Sequence, residues 1–414
     1  MIDSVASPLA NASRTIARPG PVIVLLALAA FGSAMSMRVL DAALPKLADD
    51  FGIGIHNTAN VITVFAIAYG CLQVVYGPSG DRFGKLTVIA LACIGGAIAS
   101  LGCALAPNFN ALLVARFAAG ATMAAMIPLA MAWIGDNVAY EERQPVLARF
   151  LTGQIAGLAA GQAAGGIASE LASWRLPFWG LAVWFVVVAV LLGRQARAPA
   201  HRFASRTDDD AAYGLVAQCR SVLAQAWARR VLITVFLEGV ALYGPFAFFA
   251  THLHVKHDLS LSAAGLMLMA FAAGGMSYAF GSRVLVSRLG EAGLARNGAL
   301  LLGIGIAVIG LAPNTIPAGV FALPALFCAG LGFYMLHNTL QINATQMAPA
   351  SRGTAVALFA SCFFLGQSVG VAFGAFAVER VGTTPVIAAG AVCVALVGVG
   401  FSKLCARRGN VSKS

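Results

Sequence analysis

The sequence predicts an all-α membrane protein of twelve transmembrane helices, arranged as two pseudo-symmetric six-helix bundles. Three observations carry this expectation. Charged residues fill only 10% of the 414 positions, against 59% hydrophobic residues, where a soluble domain carries roughly 25% charged residues. Apolar runs of about 20 residues, the length that crosses a bilayer core, recur along the chain. Several residues repeat at a spacing close to half the chain length.

The runs fall near 21–45, 57–77, 86–106, 109–134, 146–168, 175–193, 230–250, 262–282, 297–314, 318–341, 354–377 and 384–403. Many contain Gly and Pro, which membrane helices tolerate better than soluble ones do. They divide the chain into a tail (1–19), a first bundle (20–193), a linker (194–229), a second bundle (230–404) and a second tail (405–414). The first 19 residues lack the basic-then-apolar order of a signal peptide and read as a cytosolic tail. Within the polar linker, residues 211–228 form a candidate interfacial helix, and Asp208-Asp209-Asp210 reads as a solvated loop or helix start.

A formal net charge of +11 raises the question of nucleic acid. The basic residues argue against it, because they sit in the short gaps between runs and alternate in density from gap to gap. With both termini in the cytosol, external loops hold only Lys46, Arg175, Lys256 and Arg380, and Arg38 and Arg116 lie inside helices. The remaining 21 of the 27 Lys and Arg then fall on the cytosolic side, as the positive-inside rule requires. The eight cysteines offer no pair in an external loop, so no disulfide framework is predicted.

The halves resemble each other. Arg143, Gly157, Gly161 and Gly165 match Arg352, Gly366, Gly370 and Gly374 at a constant offset of 209. Arg82 and Gly84 match Arg288 and Gly290 at an offset of 206. Repeats of this scale are a transporter signature and place a substrate site between the halves near the midplane.

Motifs narrow the class. Gly77-Pro78-Ser79-Gly80-Asp81-Arg82-Phe83-Gly84-Lys85 joins the second and third runs. Its glycines permit a tight turn, Asp81 is suited to cap a helix, and Arg82 and Lys85 to bridge to neighbouring helices. The stretch resembles the signature loop of the major facilitator superfamily, although Leu86 stands where that family often has a second basic residue. Arg116 followed by Gly120 fits the superfamily's Arg-x-x-x-Gly pattern, and an arginine there costs ~2.5–3.5 kcal/mol to insert unless it faces a polar partner. Gly153, Gly157, Gly161 and Gly165-Gly166 form one smooth helical face. They resemble the glycine motif of drug–proton antiporters, with Gln162 in place of its proline. Asp41-Ala42-Ala43-Leu44-Pro45 is similar to the Asp-x-x-Leu-Pro segment of the twelve-helix antiporter branch. The run Phe333–Gln341 and the stretch Ala348–Gly353 fit the bacterial arabinose-efflux-permease group, and the resemblance covers residues 20–404.

Only two acids fall within the runs, Asp41 and Glu238. Arg38 shares a helix face with Asp41, and Arg116 matches its depth, so these three together with Glu238 are the candidate proton-coupling residues. Glu238 has an equal claim to be a structural acid bonded to the fifth or tenth helix. Tyr69, Gln73, Gln154, Tyr243, Phe246, Tyr334, His337, Asn338 and Gln367 are the candidate lining of a substrate cavity. Phe248 and Phe249 either join them or pack on neighbouring helices. Gly77, Asp81, Arg82, Gly84, Lys85, Arg143, Arg288 and Arg352 are candidate gating residues. His252, His254 and His257 form a cluster that reads as an interfacial loop rather than a metal site. No catalytic constellation, metal site or cofactor motif is predicted.

The resemblance implies an inner-membrane efflux permease, working as a monomer on a small organic solute, with protons as the driving partner. An importer or uniporter on the same fold, and a membrane sensor that transports nothing, are the alternatives.

Overall fold

The computed structural model describes residues 20–197 and 211–411. The first bundle comprises α1 (Gly20–Arg38), a 3-10 turn (Asp41–Ala43), α2 (Leu44–Phe51), α3 (Ile55–Thr58), α4 (Asn60–Phe83), α5 (Lys85–Leu105), α6 (Phe109–Met123), α7 (Met126–Asn137), α8 (Tyr140–Leu171) and α9 (Leu176–Arg197). A connecting helix, α10 (Ala211–Ala224), leads to the second bundle. That bundle comprises α11 (Ala226–Phe246), α12 (Phe249–His257), α13 (Leu261–Leu311), α14 (Ala318–Gln346), α15 (Arg352–Val381) and α16 (Thr383–Val411).

Ten spans among the described residues are long and apolar enough to cross a membrane. α13 is 51 residues long, and at ~1.5 Å per residue it would reach more than twice the ~30 Å core. It is broken at Gly290, whose φ of 62° lies in the left-handed region that favours glycine. Gly274 before the break and Gly305 after it both lie against the same stretch of α14, Ala325–Leu331. The two limbs therefore fold back beside each other and count as two spans. The 32-residue α8 packs by its glycines against the first span. Every predicted run overlaps one or more of these helices; the runs 21–45, 57–77, 109–134 and 230–250 each cross a break between two of them.

Two helices end away from the limits of the predicted segments. The C-terminal tail is helical as far as Val411, where α16 continues beyond the apolar run. The interfacial helix of the linker ends at Ala224, before the predicted 228. The N-terminal tail and the Asp208–Asp210 run lie outside the described residues.

The glycine face packs as its spacing demands. Gly153, Gly157 and Gly161 of α8 lie on the backbone of Ala27, Phe31 and Met35 of α1, and Gly165 on that of Val39 just past its end. In the second bundle Gly366, Gly370 and Gly374 of α15 lie on Phe236, Val240 and Gly244 of α11. A Cβ at any of the matched glycines would overlap a carbonyl oxygen of the facing helix. The facing residues 31, 35 and 39 correspond to 236, 240 and 244 at one constant offset, so the same helix pair is built twice.

The face at which α1 begins and α16 ends is termed the terminal face, and the opposite one the far face. The halves touch on the far side of the midplane. Ser368 Oγ donates to the Thr63 carbonyl at 3.1 Å, and the Ser262 amide donates to Glu170 at 2.7 Å. His56 and Glu379 stand 3.4 Å apart, and Tyr69 packs on Phe364 with ring centroids 4.4 Å apart. Gly166 and Gly265 bring α8 and α13 into backbone contact near the same face. The described hydrogen bonds and ion pairs that join the two bundles are all on this side.

Candidate functional site

Proline creates the first feature of the site. Pro45 has no N–H to offer the carbonyl of Asp41 and its ring crowds that carbonyl, so the first span cannot continue as a regular helix. α1 stops at Arg38, and Asp41 sits in the 3-10 turn before α2 resumes. Pro128 stands in the same relation to Ala124, where α6 gives way to α7. The break leaves the Ser36 carbonyl without a described backbone donor. Arg116 Nη1 takes that carbonyl at 2.9 Å, its Nε donates to the Val61 carbonyl at 3.1 Å, and its guanidinium lies 4.3 Å over the Phe65 ring. Gly120, one turn further on, lets α6 approach the Phe65 backbone closely enough for this reach.

Asp41 is fully buried, and neither carboxylate oxygen has a hydrogen bond among the described residues. A buried carboxylate without hydrogen bonds is costly to keep charged. Its ion-pair partner is Arg38, at 3.6 Å. Arg116, expected to meet Asp41 across the bundle, donates to backbone carbonyls and makes no described ion pair with it, but lies close enough for the two charges to act on each other. Arg38 faces the other half: its guanidinium lies 4.2 Å over the ring of Tyr243 and 5.5 Å from that of Phe246. The Arg38–Asp41 pair thus sits on the seam between bundles.

Glu238, also fully buried, resolves toward the tenth helix. Its Oε2 is 2.8 Å from Nδ1 of His337 on α14. The imidazole is set between Phe333, Phe359 and Phe363, with centroids 5.0, 5.4 and 4.6 Å away. His337 was expected as cavity lining, and its pairing with Glu238 was missed, because no sequence spacing links residues on two separate helices.

The predicted cavity residues are brought together only in part. Phe246, Phe248 and Phe249 are core residues with almost no exposed surface, and Tyr243 packs on Phe246 and Phe363. Gln73 and Gln367 are buried, each with its side-chain carbonyl unpartnered among the described residues. Gln154 and Asn338 are half-buried, and Tyr334 packs edge-on against Phe333. Two grooves run along α9 on the outside of the first bundle, and none of the predicted cavity residues lines either of them.

The signature stretch is helical through Phe83, so the turn is a single residue, Gly84, with φ of 86°. Asp81 lies in the last turn of α4 and is not a helix cap. It accepts from Lys85 at 2.8 Å, and Lys85 also reaches Asp136 of α7 at 2.8 Å. Lys85 does the bridging expected of it, whereas Arg82 is exposed and lies over Phe83. Gly77 is exposed with open space around it. Arg143 donates to the Val138 carbonyl at 2.9 Å, and Arg288 and Arg352 are exposed. The histidine cluster belongs to helix α12, not a loop: His252 meets Thr383 at 2.7 Å and His254 the Leu259 carbonyl at 2.6 Å.

This architecture, two bundles around a seam of buried charge, is that of a membrane transporter. The family model of the Major Facilitator Superfamily matches residues 26–371, and the chain belongs to that family. It is 27% identical over 344 residues to the uncharacterized MFS-type transporter YceJ of Bacillus subtilis, covering 82% of this chain and 84% of the relative. It is 26% identical to the puromycin resistance protein pur8 of Streptomyces alboniger, covering 81% and 76%. Among solved structures, a bacterial homologue of the lysosomal transporter Spinster, inward-facing and unoccupied, matches with a TM-score of 0.70 at 17% identity. The match covers 96% of this chain and 98% of that one. The nucleoside transporter NupG matches with a TM-score of 0.75 at 13% identity, covering 92% and 98%.

Proposed function

We propose that this transporter exports a small organic solute across the inner membrane by proton antiport, as a monomer with both termini in the cytosol. The observation that carries the reading is the Arg38–Asp41 pair: a buried acid without hydrogen bonds, at a helix break, whose cation already touches the opposite bundle. Protonation of Asp41 removes its attraction for Arg38, which is then held by Tyr243 and Phe246 alone. Loss of the proton restores the pair. Alternate strengthening of contacts within and between the halves is what a rocking cycle needs. With cytosolic termini, the far-face contacts close the external side. One proton moving down about 150 mV supplies ~3.5 kcal/mol, enough to hold a roughly 300-fold gradient of a neutral solute.

The direction of transport is supported by relatives named for puromycin and lincomycin resistance. Expression in an efflux-deficient host should therefore raise tolerance to one or more such compounds, with a thermal-shift panel of drugs, sugars and amino acids identifying the ligand by mass action. In proteoliposomes given a proton gradient, Asp41→Asn should abolish proton-driven accumulation of that ligand yet permit its downhill exchange. Glu238→Gln should retain part of the accumulation. The reverse result would move the proton carrier to the Glu238–His337 pair. Proton-driven uptake into right-side-out vesicles, with none into everted ones, would identify an importer instead.

A further inference from the structure

We propose that the outer groove between α5 and α9 is a binding site for one anionic phospholipid, its acyl chain in the groove and its phosphate on Arg194 and Arg197. The groove encloses about 630 Å³, within the ~300–1,000 Å³ range of small-molecule sites. Its floor is made of small residues, among them Ala90, Ala97, Ala189 and Gly193. Its walls are large apolar side chains facing outward: Leu91, Ile98 and Val190 are each about half or more exposed. A small-residue floor between tall apolar walls is a trough for a chain, not a face awaiting a helix.

The ends of the trough differ. On α9 it extends from Val186 to Arg197, which is ~17 Å at the helical rise and close to one leaflet of the hydrocarbon core. Among the described lining residues, charge is found only at its terminal-face end. Arg194 and Arg197, one turn apart, close that end, and no acid among the described residues lines the groove. Both are exposed and neither makes an ion pair with a described residue. Two guanidiniums at headgroup depth above an apolar trough match a phosphodiester followed by an acyl chain. A zwitterionic lipid fills the trough equally well but brings its own cation to the arginines. The discrimination is therefore against phosphatidylcholine, and the occupant has net negative charge.

The test is native mass spectrometry of the full chain, released from micelles holding equal amounts of phosphatidylglycerol and phosphatidylcholine with the same acyl chains. The wild type should retain one phosphatidylglycerol in preference to phosphatidylcholine by about tenfold or more. The double variant Arg194→Gln/Arg197→Gln, altered only at exposed positions, should keep its fold and retain the two lipids equally. Gly193→Leu, whose new side chain finds open space over the trough floor, should lower retention of both lipids. Equal retention by the wild type, or an undiminished preference in the double variant, would overturn the proposal. Displacement of the lipid by glycerol 3-phosphate, which has a headgroup and no chain, would reduce the site to an anion site and equally overturn it.

Discussion

Lys85 and Glu291 occupy matching places, each the residue after a left-handed glycine, Gly84 in the first bundle and Gly290 in the second. Each ties three helices together at the terminal face, by opposite chemistry. Lys85, with a side chain 10% exposed, is held between the far more exposed carboxylates of Asp81 and Asp136. Glu291 is itself exposed and reaches inward, accepting from the buried amide of Asn343 and from the thiol of Cys405 at 3.4 Å. Asp136 and Asn343 lie on matching helices, so the clamp is built twice with its polarity inverted. The first clamp shelters a charge and depends on its counter-charges. The second shelters neutral groups and can lose its charge at little cost.

The comparison is sharpest where the two bundles are the same. Gly161 lies on Met35 and Gly370 on Val240, both in backbone contact. Gly161→Leu and Gly370→Leu should therefore damage the protein equally. Overpacking costs ~1–3 kcal/mol when side chains can adjust, and here a fixed carbonyl stands in the way. We expect a loss of about 3 kcal/mol or more from each, read as a fall in thermal-melting temperature or as failure to recover folded protein. A variant at either position with wild-type stability and transport would show that the matched interfaces are not equally close in the working protein.

The inverted clamps should respond unequally. Asp81→Asn/Asp136→Asn leaves the sheltered Lys85 ammonium without either carboxylate. Breaking a fully buried pair costs ~3–5 kcal/mol; water reaches both acids here, so a loss of about 1–3 kcal/mol is expected. Asp81→Asn alone should slow transport while leaving ligand affinity close to normal, since Asp136 still holds Lys85 and neither group is near the seam. Glu291→Gln keeps an acceptor for Asn343 and should cost about 0.5–1.5 kcal/mol. Denaturation in matched detergent measures both, and equal losses would remove the distinction between the clamps.

Glu238 and His337 offer a comparable check within the second bundle. His337→Leu deprives a buried carboxylate of its 2.8 Å partner, and the desolvation penalty of an unsatisfied group is about 1–3 kcal/mol. Adding Glu238→Gln should recover part of that loss, because a neutral pair replaces a lone charge. A double-mutant cycle reads the coupling directly, and a coupling near zero would leave the pair without energetic meaning.

How much of this was legible follows from what each feature depends on. The spans were readable because hydropathy is local and lipid leaves no other solution for 59% hydrophobic residues. The glycine face was readable as a face, and its partner helix was not, because spacing along α8 says nothing of what lies opposite. Pro45 and Pro128 mark the helix breaks, and Pro45 places Asp41 at one of them. The Glu238–His337 contact depends on α11 and α14 meeting, a property of the assembled bundle alone. The clamp repeat was hidden by its own inversion: Arg82 and Gly84 recur as Arg288 and Gly290, but Lys85 recurs as Glu291 and Asp81 as Ser287. Hydropathy marks the end of the last apolar run near 403, not the end of its helix, because apolarity falls at the membrane surface while α16 runs on to Val411.

The smallest effect separates the clamps by access rather than stability. Cys219 on α10 is half-buried, whereas Cys405 is 7% exposed and directed at Glu291. With cytosolic termini, a membrane-impermeant maleimide should label Cys219 in everted vesicles and not in intact cells. Cys405, on the same side of the membrane, should react at least about tenfold more slowly, since its thiol must first leave the clamp and become accessible as thiolate. Glu291→Ala removes the acceptor and should raise the Cys405 rate without altering that of Cys219. Peptide-resolved mass spectrometry over a time course distinguishes the two thiols. Labelling of Cys219 from outside intact cells would reverse the orientation. A Cys405 rate unchanged by Glu291→Ala would mean that packing of α16, and not the clamp, protects the thiol.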